Sequence, residues 1–325
     1  MVRKIYFINN HGSLKRSKNN IYFSRSDQNI KITIPVEKID TIISYSRLSL
    51  SSGAISLLSR KKISLHFFNK YGFYRASFYP LKKYEGEILI KQVLNFLDQK
   101  KRLYLAKKFV EGSTKNIISN MKFYHKKGRN LEGIIEKSKY FLDLVEFQDT
   151  IEKLMSIEGN IRNLYYNSFN KILPEDFKFE KRTKNPPQDM INSMISFGNS
   201  ILYSTITNEI YKTSLNPSIS FLHEPKNNIS LSLDISEIFK PIIIDRLIFK
   251  LINKDMLNKE CFIFSKGVFL NKRGRELFIE EYIKRLEKKI KIKNERVSFK
   301  KLIRREIYKL LNHIKGQEIY TPLVV

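Results

Sequence analysis

The sequence contains one cysteine, Cys261, and no tryptophan among its 325 residues. A single thiol excludes an intramolecular disulfide and any zinc site that needs several thiolates from this chain. Apolar runs are short: the segment at 241–244 ends at two charged residues, well below the roughly 18 residues that span a bilayer. The first seven residues lack the apolar core of a signal peptide. We therefore expect a cytoplasmic protein with no membrane contact.

Four catalytic motifs are also missing. The sequence has no phosphate-binding loop (Gly-x-x-x-x-Gly-Lys-Ser/Thr), no dinucleotide motif (Gly-x-Gly-x-x-Gly), no His-Glu-x-x-His zinc helix and no Gly-x-Ser-x-Gly nucleophile elbow. These absences argue against ATP-driven and serine-triad chemistry.

The most prominent feature of the composition is its positive charge. Sixty Lys and Arg residues against 32 Asp and Glu give a net charge of +28. Such a charge favours a polyanionic partner, most often nucleic acid. Solubility, an acidic membrane surface or a biased base composition of the source would also account for it. Charge therefore indicates a partner and not a reaction.

The hydrophobic pattern divides the chain into two parts. Near the N-terminus, Ile30, Ile32 and Ile34 alternate with polar residues, as in a half-buried strand. The chain is predicted to form a short helix through Leu57 and Leu58, and strands at 4–9, 20–25, 29–35, 63–69 and 73–78. From Gly86 onward the apolar period becomes that of helices. Further helices are predicted at 130–153, 157–170, 188–212, 235–253, 271–289 and 299–314. The predicted fold is α+β with two domains, a β-rich domain at 1–82 followed by an all-α catalytic domain at 83–325.

Glu158 and Arg162 lie four residues apart in a predicted helix, where an ordinary ion pair is the simplest explanation. Gly159 costs such a helix about 1 kcal/mol relative to alanine, which indicates that something approaches the backbone there. Arg162 and Tyr166 would then share the face of Glu158 and offer a phosphate clamp and a ring.

His223 lies in an irregular segment eleven residues before Asp234. Asp234 and Glu237 are three residues apart, which places both carboxylates on one helical face. The same spacing fits an N-cap at Asp234 with Glu237 as its capping-box partner. Because the surrounding residues are apolar, at least one carboxylate must border a core, and a divalent metal ion would compensate its charge. The residues leave both interpretations open.

Carboxylates with one imidazole form a ligand set that suits Mg²⁺ or Mn²⁺ and also zinc, and the lack of thiolates disfavours zinc. Together with a basic surface, such a set indicates phosphodiester chemistry.

Several blocks in register resemble the CRISPR-associated integrase family Cas1, and the resemblance extends over essentially the whole chain. The blocks are 158–166 (EGNIRNLYY), 182–187 (RTKNPP) with Asn192 and 196–200 (SFGNS), 216–223 (NPSISFLH), 233–241 (LDISEIFKP) with 245–246, and the N-terminal segments 63–69, 71–72 and 77–80. Many relatives have Asp-Pro where this chain has Asn216-Pro217, glycine at Ser220 and arginine at Lys240. These departures affect loop geometry and phosphate contact.

The resemblance implies a β-domain used for homodimerisation, a helical catalytic domain, and insertion of spacer DNA into a CRISPR array with the small partner Cas2. It implies metal ligation by Glu158, His223 and Glu237, with Asp234 as an acidic neighbour that either joins these ligands or supports them. The expected reaction is in-line displacement at phosphorus by a DNA 3′-hydroxyl or by water. The expected DNA is a duplex with 3′ ends or forks. The residues expected to contact DNA are Arg162, Tyr166, Arg182, Lys184, Lys240 and Arg246, with the five cations at phosphates. The alternatives are a non-catalytic DNA-binding scaffold and a transposon-encoded integrase relative.

Overall fold

The computed structural model describes residues 3–28, 30–69, 71–81, 85–226 and 228–325. The chain divides into two compact units, Met1–Lys83 and Tyr84–Val325. The boundary expected between residues 82 and 83, and the first residue of the strand expected at 29–35, lie outside the described residues. Each unit has its own secondary structure and is described separately.

The N-terminal unit consists of two four-stranded sheets and one α-helix. Its elements are β1 (Lys4–Ile8), β2 (Gly12–Ser17), β3 (Asn20–Arg25), β4 (Lys31–Pro35), β5 (Ile39–Ser44), β6 (Leu48–Leu50), α1 (Ser52–Arg60), β7 (Ser64–Phe68) and β8 (Tyr74–Phe78), with a 3₁₀ turn at Val36–Lys38. The strand orders are β1-β5-β7-β8 and β4-β3-β2-β6. The five predicted strands are all present.

Strand β5 was not predicted, and its burial explains why. All six residues of Ile39–Ser44 are buried, and the strand pairs in parallel with β1 on one side and with β7 on the other. A strand buried on both faces shows no polar and apolar alternation. Strand β2 was also not predicted, because its first residues, Gly12 and Ser13, are of types that favour turns. Helix α1 begins where Ser51 Oγ accepts a hydrogen bond from Ala54 N.

The C-terminal unit is mainly helical. Its helices are α2 (Gly86–Leu97), α3 (Gln99–His125), α4 (Glu132–Leu144), α5 (Ile151–Asn167), α6 (Phe169–Ile172), α7 (Met190–Ile210), α8 (Ser230–Phe239), α9 (Arg246–Asn253), α10 (Lys272–Glu287) and α11 (Phe299–Lys315), with 3₁₀ turns at Glu175–Phe177 and Lys259–Cys261. Two short antiparallel hairpins, unpredicted, join β9 (Phe262–Phe264) to β10 (Val268–Leu270) and β11 (Lys289–Ile292) to β12 (Glu295–Ser298). The predicted fold class, strand-rich and then helical, is confirmed.

Helix α7 lies at the centre of the helical unit. Nearly every residue from Ile191 to Ile210 is buried, so the helix is surrounded by others and lacks a polar face. It begins where Asp189 Oδ1 accepts a hydrogen bond from Asn192 N at 2.7 Å. Within the described residues, no helix is long and apolar enough to cross a membrane.

The helix predicted at 130–153 is wrong in its extent, because α4 ends at Leu144 and α5 begins at Ile151. Thr150 is the N-cap of α5, and its hydroxyl accepts a hydrogen bond from Lys153 N at 3.3 Å. A threonine hydroxyl that accepts from the backbone favours a helix start over a helix interior. The correction adds six residues, nearly two turns, to the N-terminal end of the helix that carries Glu158.

The helix predicted at 235–253 begins earlier and changes its pitch. Helix α8 starts at Ser230, and a π-helical segment, Lys240–Asp245, links it to α9. Pro241 lies at the start of this segment, where its missing N–H removes a regular helical hydrogen bond. Asp234 is therefore inside α8, so the interpretation of Asp234 as an N-cap is wrong.

Candidate active site

Asp234 organises the loop that carries His223. Its side chain is fully buried. Oδ2 accepts hydrogen bonds from Phe221 N at 2.6 Å and Leu222 N at 3.0 Å, and Oδ1 accepts one from His223 N at 3.0 Å. The same Oδ1 lies 2.8 Å from His223 Nδ1. A carboxylate bonded to Nδ1 fixes the ring and leaves Nε2 for another partner.

The Asp234 carboxylate also affects the charge of His223. Burial lowers the pKa of His223, but the hydrogen bond and the negative charge of Asp234 outweigh it, so the pKa is raised. Glu237 contributes in the same direction, which places its carboxylate close to the imidazole.

Glu237 lies one helical turn beyond Asp234 and is 4% exposed. Its carboxylate forms ion pairs with Lys240 and with Arg162 of α5. Burial would raise the pKa of Glu237, but the charges of Lys240, Arg162 and His223 outweigh it and lower the pKa to about 2. The group is therefore a carboxylate at all physiological pH values.

Arg162 connects the two helices of the site. Its Nε lies 3.4 Å from Glu158 Oε1, and its Nη2 pairs with Glu237. The ordinary i,i+4 ion pair is thus present, and the same guanidinium also bridges to a carboxylate 75 residues later in sequence. Glu158 and Glu237 consequently face one positively charged group from opposite helices.

The expected phosphate contacts differ in their distance from this cluster. The Arg162 guanidinium carbon lies 6.0 Å from the ring centre of partly buried Tyr166. Arg182 donates hydrogen bonds to Asn192 Oδ1 at 2.8 Å and Ser196 Oγ at 2.9 Å. The pKa of Lys184 is lowered by the partial burial of its amino group and by the charges of Arg182 and Lys240. These cations surround the carboxylates.

Arg246 is not part of this cluster. Its Nε donates a hydrogen bond to Asn120 Oδ1 at 2.9 Å, and its side chain lines a cavity elsewhere in the helical unit. Asp245, immediately before it, was noted in the sequence as the end of an apolar run and, with Arg246, in one block of the family resemblance. It is 2% exposed, and its Oδ2 has no hydrogen-bond partner among the described residues. Burial raises the pKa of Asp245 to about 7, although nearby Arg162 and Tyr165 lower it.

The donor set fits a hard divalent cation in its chemistry. Glu158 and Glu237 already share one cation, Arg162, and His223 has one nitrogen fixed by Asp234. No three His, Cys, Asp or Glu side chains of the described residues are grouped closely enough to hold a metal ion. The Arg162 guanidinium instead pairs with both carboxylates.

The close approach expected at Gly159 is not made by the described chain. A Cβ built on Gly159 meets nothing within 4 Å. The surface of α5 beside Glu158 is therefore open.

The chain is similar to known proteins over nearly its whole length. The family model described as "CRISPR associated protein Cas1" matches residues 5–284. The chain is 44% identical to CRISPR-associated protein Cas1 1 of Methanobrevibacter ruminantium, over 100% of this chain and 99% of that protein. It is 39% identical to CRISPR-associated endonuclease Cas1 of Fusobacterium nucleatum, over 98% and 96%.

Solved structures show the same fold. A CAS1 protein from Thermotoga maritima superposes with a TM-score of 0.89 at 33% identity, covering 98% of this chain and 100% of that one. A casposase bound to integration product also gives 0.89, at 21% identity, over 98% and 92%. The predicted family is confirmed, and the chain belongs to the Cas1 family of CRISPR-associated proteins.

Proposed function

We propose that this chain is a metal-dependent DNA endonuclease and integrase that inserts spacer DNA into a CRISPR array by phosphodiester transesterification. One observation carries the proposal: carboxylates from two helices, Glu158 on α5 and Glu237 on α8, share a guanidinium beside His223, whose orientation Asp234 fixes. The names of relatives as CRISPR-associated endonucleases support it.

Glu158, His223 and Glu237 would hold Mg²⁺ or Mn²⁺, with Asp234 as the outer partner of the histidine. The bound ion would supply Lewis-acid polarisation of a phosphodiester oxygen. His223 binds through Nε2 only when that nitrogen carries no proton, so its hydrogen bond to Asp234 must be made by Nδ1–H. No protein nucleophile is needed, because the attacking group is a DNA 3′-hydroxyl or water.

The positively charged side chains of the site would have a second role, which is to contact DNA. Arg162 and Lys240 neutralise Glu237 in the protein alone. With Glu237 holding a divalent ion, both side chains would become available to phosphate oxygens. Tyr166 lies beneath Arg162 and limits where the guanidinium can turn. Arg182 and Lys184 would contact phosphates next to the reacting one.

We propose DNA and Cas2 as partners. The solved neighbours include a complex titled Cas6-RT-Cas1–Cas2, with a TM-score of 0.87 at 18% identity, and the casposase described above. The preferred DNA would be a duplex with 3′ ends or forks. The N-terminal unit would form a homodimer contact, which light scattering of variants in that unit tests.

Strand transfer tests the catalytic proposal. A short duplex with 3′ ends is incubated with a supercoiled plasmid that carries a repeat, with Mn²⁺, and with or without Cas2. We expect Glu158→Gln and His223→Ala to abolish product, while Glu276→Gln, an exposed carboxylate of α10, leaves it unchanged.

The variants also separate the alternatives. If Glu158→Gln and His223→Ala still bind DNA and still give product, the catalytic assignment is wrong. If the wild-type protein binds DNA but gives no product under any condition, the scaffold is the correct alternative. Transfer into any plasmid, with no dependence on a repeat or on Cas2, would favour the transposon-type relative.

A further inference from the structure

Helix α2 contributes one buried amide to the interior of the helical unit. Two of its residues, Ile88 and Gln92, are buried, and the side chain of Gln92 is 0% exposed. A polar group is buried without a large cost in free energy only when its donors and acceptors are satisfied. The partners of Gln92 therefore indicate what the residue does.

The hydrogen-bond partners of Gln92 all belong to the segment 216–223, here called the histidine loop because it ends at His223. Gln92 Oε1 accepts a hydrogen bond from Asn216 N at 2.8 Å. Gln92 Nε2 donates to the carbonyl oxygens of Asn216 and Ile219, each at 3.0 Å. A carboxylate could accept but not donate, and an ammonium could donate but not accept. An amide is therefore the side-chain group that matches these three backbone groups.

Arg102 of α3 holds the same loop a little further along the chain. Its Nε donates a hydrogen bond to the carbonyl oxygen of Phe221 at 3.0 Å, and its Nη2 pairs with Glu224 at 2.9 Å. The guanidinium carbon lies 4.6 Å from the ring centre of Phe96, which restricts the orientation of the fork. Gln92 and Arg102 thus hold backbone carbonyls before and after Ser220.

The N–H groups at the end of the histidine loop have a different partner. Asp234 accepts hydrogen bonds from the backbone of Phe221, Leu222 and His223. These contacts fix the loop relative to α8, which carries Glu237. The contacts of Gln92 and Arg102 fix it relative to α2 and α3. The position of the imidazole therefore depends on three helices as well as on its own hydrogen bond to Asp234.

We propose that Gln92 is a positioning residue for His223, which holds the histidine loop so that the imidazole stays in place to share a metal ion with Glu158 and Glu237. This role rests on the proposed function, since the position of the ring matters to the reaction only if His223 binds the ion. A misplacement of about 1 Å at a reacting group can cost about a hundredfold in rate. Groups that orient metal ligands typically contribute about 10- to 100-fold in metal affinity or activity.

Amide hydrogen exchange in the metal-free protein tests whether Gln92 holds the loop. Gln92→Met removes the three hydrogen bonds and keeps an unbranched side chain of similar length. The amides of Phe221, Leu222 and His223 keep their acceptor, Asp234, in this variant. We expect them to exchange at least about tenfold faster, because a loop released at 216–219 opens more often. Unchanged exchange at these three amides would overturn the proposal.

Strand transfer and metal binding test the consequence for the site. In Gln92→Met we expect about tenfold weaker Mn²⁺ binding, followed by electron paramagnetic resonance of the free ion. At saturating Mn²⁺, kcat should fall by about 10- to 100-fold. KM for the donor duplex should change by less than about twofold, because the variant removes no contact proposed for DNA. A loss confined to KM would overturn the positioning role.

Thr205→Val is the matched control. Thr205 Oγ1 lies 2.9 Å from Tyr282 Oη, and both residues are buried, so this variant also loses a buried hydrogen bond of the helical unit. We expect a fall in Tm similar to that of Gln92→Met, with exchange at 221–223 and kcat unchanged. Equal losses of kcat in the two variants would overturn the proposal, since activity would then follow stability alone.

Arg102 supplies a second variant that keeps the test valid if Gln92→Met does not fold. Arg102→Met releases the carbonyl oxygen of Phe221, and it should also speed exchange at 221–223 and lower kcat. Arg102→Lys retains a donor and should recover part of both losses. Wild-type exchange and kcat in Arg102→Met would contradict the dependence of the imidazole on these contacts.

The outcomes separate this inference from the catalytic proposal. If the wild-type protein gives no product under any condition, the catalytic proposal fails, and faster exchange in Gln92→Met still assigns the ordering of the histidine loop to Gln92. If the wild-type protein transfers strands and Gln92→Met does so at the same rate, the positioning role alone fails.

Discussion

The candidate active site and a cavity of the helical unit use the same residue types in opposite ways. The cavity, of about 810 Å³, is lined by eight Lys and Arg side chains, Arg246 and Arg285 among them, and is here called the basic groove. At the site, Arg162 and Lys240 are paired with the buried carboxylate of Glu237. In the groove, Arg246 and Arg285 are held only by an amide oxygen and a backbone carbonyl. Sequence composition counts all four as equal contributions to a charge of +28. Only the structure distinguishes a cation that has its counter-ion from one that lacks it.

This difference in charge pairing predicts that the site and the groove behave differently in the absence of a ligand. Paired charges hold the site in one geometry, and breaking a buried pair is costly. The groove has one carboxylate, Glu281, against many cations, so its occupancy by any anion should depend steeply on salt. The following predictions test this contrast, from the largest expected effect to the smallest.

Glu237→Gln should have the largest effect, because it leaves Arg162 and Lys240 buried without their carboxylate. Breaking such a pair typically costs about 3–5 kcal/mol, and denaturant unfolding measures it. Lys254→Gln, an exposed residue of the groove, should change the free energy of unfolding by less than about 0.5 kcal/mol. Similar losses in both variants would show that the two regions do not differ in pairing.

Asp245→Asn should change how stability depends on pH. The pKa of Asp245 is raised on folding to about 7 from 3.8, so its favourable contribution is complete below pH 3.8 and is lost as pH rises through 7. The wild-type protein is then penalised at pH 8 by up to roughly 4 kcal/mol relative to acid. The asparagine variant should gain stability over wild type between pH 5 and pH 8. A constant difference across that range would contradict the raised pKa.

Mn²⁺ should stabilise the protein through the site and not through the groove. At a concentration of 100 times its dissociation constant, the ion would add about 2.7 kcal/mol to the free energy of unfolding. Thermal unfolding should show this shift for wild type and for Lys254→Gln, but not for Glu158→Gln. A shift that persists in Glu158→Gln would place the ion elsewhere.

Gly159→Ala should have the smallest effect and the opposite sign. A Cβ at Gly159 meets nothing within 4 Å, so alanine should stabilise α5 by about 0.5–1 kcal/mol. Gly112→Ala provides the contrast, since its Cβ would lie 2.5 Å from Pro322 Cβ and should destabilise the unit. If DNA passes over the open surface beside Glu158, Gly159→Ala also weakens DNA binding without lowering stability.

Sequence patterns identified the residues of the candidate active site better than they identified the contacts between those residues. Residue type and spacing singled out Glu158, His223 and Glu237, and the structure brings Glu237 and Glu158 onto one guanidinium. The helix cap at Asp234 was wrong because α8 begins earlier, at Ser230. The Asp234 carboxylate instead accepts hydrogen bonds from the backbone of a distant loop, Phe221 to His223, which no local pattern relates to it. The roles of Glu158, His223 and Glu237 in binding metal and DNA stay predictions.

The groove could not be predicted from the sequence. Phe123, Arg246 and Arg285, which line it, belong to three helices that lie far apart along the chain, and no local periodicity relates them. The common feature of the two arginines is a missing counter-ion among the described residues, which only tertiary contacts reveal. Arg246 was assigned to the same phosphate surface as Arg162 because both appeared in blocks of one family pattern.

The π-helical segment Lys240–Asp245 has a consequence for how this region tolerates change. It sets the rotation between Glu237, which belongs to the site, and Arg246, which belongs to the groove. Deleting one residue within 241–244 would turn everything after it by about 100° about the helix axis, carrying Arg246 out of the groove and Asp245 away from Arg162. Single substitutions among these isoleucines conserve the rotation. The segment should therefore accept changes that conserve the volume of its buried isoleucines and reject changes of length.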